Sequence, residues 1–205
     1  MASSAFETPL RKLRLETEWL HYEFAKASSD PNSRRSQLTC EMSVIRLYDS
    51  WARFCRAAVI ISAYGKTETL SGTLLTASSL PSITSRAQVI PTLLSTFKKK
   101  KHLYEPDWDR ADQCIDAGRR LVIQNLSTMA AALGAVNSPA DEIRHVRNFY
   151  AHRRQDSCAN ALSTNCFPVL RRPVVFRLND YTTGGTTVIA SWIQRLLAIA
   201  VAAVQ

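Results

Sequence analysis

Few residues in this chain bend or staple a backbone. Six glycines in 205 residues leave little material for the tight turns of an all-β fold, so helices should dominate. The five cysteines, Cys40, Cys55, Cys114, Cys158 and Cys166, are odd in number and contain no C-x-x-C pair. They support neither a zinc site nor a disulfide framework, and they fit a reducing cytosol. Cys158 has no neighbouring acid and histidine to activate it and reads as a packing residue. A Gly-rich phosphate loop, paired acidic metal ligands and an H-x-x-x-H pattern are all missing, so no metal and no cofactor is expected. The most apolar stretch, Val188 to Val204, is short for a membrane span and carries Gln194 and Arg195 near its middle, so it reads as a buried helix or a subunit contact. Glu7 and Pro9 stand where an export signal needs an unbroken apolar run, so a cytoplasmic location is expected. There is no internal repeat.

What is abundant is positive charge. Lysine and arginine number 26 against 17 aspartates and glutamates, a net charge of +9. That balance favours a polyanionic partner: RNA, DNA or an acidic protein. Lys98, Lys99, Lys100 and Lys101, beside His102, form a run along which an RNA strand could lie or which could simply be a solvated helix end. Arg119–Arg120 and Arg171–Arg172 are weaker pairs of the same kind.

Periodicity divides the chain into helices. Thr8 and Pro9 look like an N-cap and first helical residue, followed by Leu10, Leu13, Trp19, Leu20 and Phe24 at helical spacing, ending near the SSDPNSRRS turn. From about Ser36 to Gly65 no proline or glycine interrupts the chain. Leu38, Met42, Ile45, Tyr48, Trp51, Cys55, Ala58 and Ile61 step by three or four and predict one long helix. Residues 66–82, rich in serine and threonine, read as a connection, and a short helix bent or interrupted at Pro91 follows over 86–97. A further helix should begin near Pro106 or Asp109 with Cys114, Ile115, Leu121, Ile123 and Leu126 inward, weakened but not ended at Gly118. Beyond Asn165 the proline-interrupted, β-branched segment CFPVLRRPVVFRL suggests an extended arm before the last helix. Trp19, Trp51 and Trp192 sit among apolar residues as core; Trp108, between two aspartates, reads as more exposed.

The stretch VRNFYAHRRQ, residues 146–155, lies on a helix that Ser138, Pro139 and Asp141 should open. At roughly 100° per residue, Ile143, Val146, Phe149 and Tyr150 share the core side. Arg144, Asn148 and His152 line the opposite side with His145 beside them, and Arg147 stands at its edge. Arg147 and His152 are about 140° apart, too far for a compact site on one rigid helix. A second copy of the helix could complete the site. Histidine can exchange a proton near neutral pH, arginine can hold a phosphate, and asparagine can orient either. Those are the needs of RNA cleavage through the 2′-hydroxyl, leaving a 2′,3′-cyclic phosphate and sparing DNA. The same residues on a basic, solvated helix face would do no chemistry.

RNFYAH resembles the motif of the HEPN superfamily: arginine, then Asn, Asp or His, then three residues and a histidine, on a late helix of a mainly four-helix bundle. Arg147, Asn148 and His152 stand at those positions, with Val146 before them and Arg153 after. The resemblance implies an all-α, HEPN-like bundle of four or five main helices; the length reads as a single domain, residues 1–205, in which the proline-interrupted extended segment precedes the last helix. It implies a metal-independent endoribonuclease whose site forms between two HEPN domains, here a homodimer through the motif face. His152 would be the acid/base, Arg147 the phosphate and transition-state ligand, and Asn148 the orienting group. Arg144, Arg153 and Arg154 would join the lysine run in binding RNA. Such proteins act in toxin–antitoxin, abortive-infection and CRISPR-associated systems, so a toxin or phage-defence role with an antitoxin or defence partner protein follows by analogy. Other members bind without cutting, which leaves a noncatalytic protein- or nucleotide-binding module as the alternative; a basic adaptor touching only phosphates is a third reading. The connection at about 66–82 and the extension after about 165 depart from the small toxin members.

Overall fold

The computed structural model describes residues 4–30, 32–80, 83–96, 104–152, 154–163, 178 and 184–205. The chain is mostly helical, with eight helices and one two-stranded hairpin among those residues. No helix among them is long and apolar enough to cross a membrane.

The first helix, α1 (Glu7–Ser28), begins earlier than Thr8 and Pro9 suggested. The carbonyl of Ser4 accepts the Glu7 N–H at 3.0 Å, so Pro9 falls inside the first turn, where its missing N–H has no intrahelical acceptor to lose. Leu10, Leu13, Thr17, Leu20, Phe24 and Ala27 are buried, a row stepping alternately by three and four residues. Trp19, expected in the core, lies off that row and is 44% exposed.

The second helix, α2 (Arg34–Tyr64), is the expected long one, but its first half is turned differently. Leu38 and Met42 are exposed; the buried row is Cys40, Val44, Leu47, Trp51, Cys55, Ala58 and Ile61, with Ser43, Ser50 and Ser62 also buried. Two apolar stripes, each stepping by three and four, coexist between residues 38 and 51. The stripe of smaller side chains is the buried one, and small residues are what let neighbouring backbones approach.

Residues 66–82, read as a connection, contain a hairpin. Gly65 (φ 64°) and Lys66 (φ 56°) end α2 in the left-handed region. β1 (Thr67–Glu68) then pairs antiparallel with β2 (Leu74–Leu75), Thr67 opposite Leu75. Helix α3 (Arg86–Ser95) continues through Pro91 rather than breaking there. Gln88 anchors its start by accepting the N–H groups of Thr84 and Ser85 at 2.8 and 3.0 Å.

The single helix expected from Asp109 onward is two helices, α4 (Ala111–Arg120) and α5 (Leu126–Leu133). Gly118 does not end α4, as anticipated. The break comes at Val122, whose φ of 52° closes the helix while the Ile123 N–H reaches back to the Gly118 carbonyl at 3.1 Å. A Cβ on residue 118 would meet the side chains of Ile123 and Leu126 at 2.8 and 3.0 Å, so the glycine admits the returning chain. Trp108 is buried, not exposed, because its indole N–H is satisfied by Glu105 at 2.9 Å. Glu105 also accepts two hydrogen bonds from Arg56, at 2.6 and 3.0 Å, and the guanidinium holds its carboxyl below the usual range.

Helices α6 (Ala140–His152), α7 (Gln155–Leu162) and α8 (Val188–Ala203) complete the order. Nothing in the sequence reading anticipated α7. The extended arm expected beyond Asn165 lies outside the described residues, apart from Leu178, which is buried.

The chain forms two compact units. One comprises Met1–Leu13, Ala52–Val136 and Ala198–Gln205; the other comprises Arg14–Trp51 and Asn137–Leu197. In the first, Phe54, Leu75, Leu93, Leu121 and Met129 are buried; in the second, Leu20, Phe24, Leu47, Ile143, Val146 and Trp192. The motif helix α6 belongs entirely to the second.

Candidate active site

The start of α6 is built much as its sequence implies. The Ser138 hydroxyl accepts the Ala140 N–H at 3.4 Å, and Asp141 and Glu142 occupy the first turn, at the positive end of the helix dipole. Glu142 has a second task, which spacing could not disclose. It accepts the indole N–H of Trp192 at 2.7 Å and a guanidinium N–H of Arg195 at 3.4 Å, while Arg195 also donates to the Asn137 carbonyl at 3.0 Å. Together with buried Ile143, Val146 and Tyr150, these bonds to α8 fix how α6 is rotated. Phe149, expected inward, is only half-buried, with its ring 5.6 Å from that of Tyr150.

On the other side of α6 the structure brings two of the three motif residues together. Arg147 donates from Nη1 to Asn148 Oδ1 at 3.1 Å, both side chains being half-buried. The Arg147 guanidinium lies over the ring of Tyr48, 4.9 Å from its centroid. Its Nε is buried without a hydrogen-bond partner among the described residues. Tyr48 is the residue that sequence reasoning missed. Its spacing makes it one member of the α2 core stripe, and nothing in that spacing pairs it with an arginine so distant in the chain.

His152, one turn beyond Asn148, is exposed in the last turn of α6 and makes no hydrogen bond to Arg147 or Asn148. Arg144 is bound to Asp141, Nη2 to Oδ1, at 2.7 Å. Arg154 is exposed at the start of α7. Arg153 and Lys98, Lys99, Lys100 and Lys101 lie outside the described residues. One helix therefore carries a paired arginine and asparagine and, separately, a histidine open to solvent.

His145 lies beside this face. Burial, then the charge of Arg144, pushes its pKa below the ordinary value, and Asp141 opposes them. With the folded pKa below the unfolded one, the unfolded chain binds more protons in the interval between the two. Stability should therefore fall as pH drops through about 6.5 and level off below the folded value. Chemical denaturation of wild type and His145→Gln at pH 8 and pH 5 checks this: the pH-dependent loss should be smaller in the variant, and an equal loss would contradict it.

Comparison of the chain with family models, with curated proteins and with solved structures finds no match.

Proposed function

We propose that this protein is a metal-independent endoribonuclease of HEPN type. The observation that carries the reading is the pairing of Arg147 with Asn148 at 3.1 Å, on a helix whose last turn presents His152 to solvent. The chemistry those residues suit is in-line attack by a ribose 2′-oxygen. As its proton is taken, that oxygen bonds to phosphorus; the phosphorus–5′-oxygen bond breaks and the leaving oxygen gains a proton, giving a 2′,3′-cyclic phosphate and a 5′-hydroxyl. His152 would take or give one of those protons, Arg147 would stabilise the added phosphoryl charge, and Asn148 would orient Arg147.

On a single helix Arg147 and His152 point about 140° apart. Two copies packed through their motif faces would set the arginine pair of one against the histidine of the other, a homodimeric site. The net charge of +9 suits an RNA substrate. By resemblance alone, the setting would be a toxin or phage-defence system with a restraining partner protein.

One observation favours the second reading, a noncatalytic binding module. Arg147 is already occupied, stacked on Tyr48 and bonded to Asn148. Labelled RNA and DNA of the same sequence, each incubated with the protein in EDTA, separate the two readings. The ribonuclease cuts the RNA alone; a protein- or nucleotide-binding module cuts neither.

A further inference from the structure

On the second unit, α1 and α2 expose apolar residues that no core uses. Leu15, Trp19 and Tyr22, at i, i+4 and i+7 along α1, are 59%, 44% and 64% exposed. Leu38 and Met42, one turn apart on α2, are 50% and 52% exposed. Trp19, Leu38 and Met42 share a groove of about 590 Å³ between the two helices. Arg34, Arg35 and Arg46 also line it, against a single acid, Glu23, and Arg46 lies over the Trp19 ring at 4.7 Å. An apolar floor with a cationic rim is an unusual thing to leave in water.

We infer that this groove docks an acidic amphipathic helix of a partner protein. Its shape suits a helix, since Leu38 and Met42, one turn apart on α2, face Trp19 of α1 across a channel that takes a third helix by apolar anchors at helical spacing. Its charge sets the partner's sign. Three arginines to one glutamate call for carboxylates flanking the apolar anchors, where arginine forms bidentate pairs. A second copy of this face is the wrong match, because apposition would double the excess of arginine. The chain's own segment 164–177 carries three arginines and no acid, and is wrong for the same reason. RNA is disfavoured because Leu38 and Met42 offer no stacking surface and Arg46 already covers the indole. The groove is separate from the motif residues and does not depend on the nuclease reading.

The test is a displayed library of 16-residue helical peptides, randomised at the exposed positions and selected on the full-length protein. Enriched peptides should carry apolar residues at helical spacing flanked by Glu and Asp. A synthetic copy should shift tryptophan emission to the blue, since Trp51, Trp108 and Trp192 are already buried. Trp19→Phe should remove the shift, and Met42→Glu or Arg35→Glu should weaken binding at least tenfold. All three altered positions are exposed, and circular dichroism verifies that the variants fold. Absence of enrichment, peptides without acidic bias, or equal binding to Met42→Glu each overturns the inference. So does a dimer that Met42→Glu dissociates, which would make a second copy the occupant, or an RNA oligonucleotide that competes at Trp19.

Discussion

His152→Ala should lower RNA cleavage by about 10²- to 10⁴-fold, the range of general acid–base contributions, without lowering the melting temperature. His152 is exposed and makes no hydrogen bond to another described residue, so its imidazole supports no packing. A parallel loss of structure would show that the residue acts on the fold rather than on the reaction. Arg147→Ala should be equally inactive, and the two dead variants make a sharper test together. If each site takes arginine from one copy and histidine from the other, mixed dimers contain one intact site and one doubly damaged site. Subunit exchange should then restore about a quarter of wild-type activity, half the dimers being mixed and half their sites intact. A site complete within one copy would give no recovery.

The second large effect belongs to stability. Gly65→Ala should destabilise the protein by about 3 kcal/mol or more, read as a fall in the denaturation midpoint. Gly65 has φ of 64°, and a Cβ there would run into the backbone of Thr76 and Ala77, which cannot swing aside as a side chain could. Gly72 separates the two causes. Its φ is 85°, yet nothing lies within 4 Å of a Cβ there, so Gly72→Ala should cost only about 1 kcal/mol. Equal losses at the two positions would assign the Gly65 effect to backbone conformation alone.

These residues also show where sequence reasoning succeeds and where it stops. The length of α2, the cap before α6 and the buried face of α6 were legible because each depends on neighbours within a turn or two. The rotation of the first half of α2 was not. Leu38 and Met42 form as good a stripe as Cys40, Val44 and Leu47, and only tertiary packing chooses between them. The same ambiguity misplaced Trp19. The aspartates flanking Trp108 suggest water, whereas Glu105 satisfies its one donor inside the fold. Val122 in the left-handed region gave no warning, since a β-branched residue is a poor choice there. In the candidate site, Arg147, Asn148 and His152 could be named from spacing. That Tyr48 underlies the arginine and that Trp192 and Arg195 hold Glu142 are contacts between residues far apart in sequence.

The proposal that RNA is cut through its own 2′-hydroxyl meets its most direct test in a substrate with one altered ribose. After a cleavage site has been mapped in a defined oligonucleotide, the same oligonucleotide is made with a single 2′-deoxy sugar 5′ to the scissile phosphate. Both are then incubated with the wild-type protein in EDTA. Cleavage at that bond should vanish while other sites persist and end in 2′,3′-cyclic phosphate. Continued cutting at the altered sugar, with 5′-phosphate ends, would contradict it.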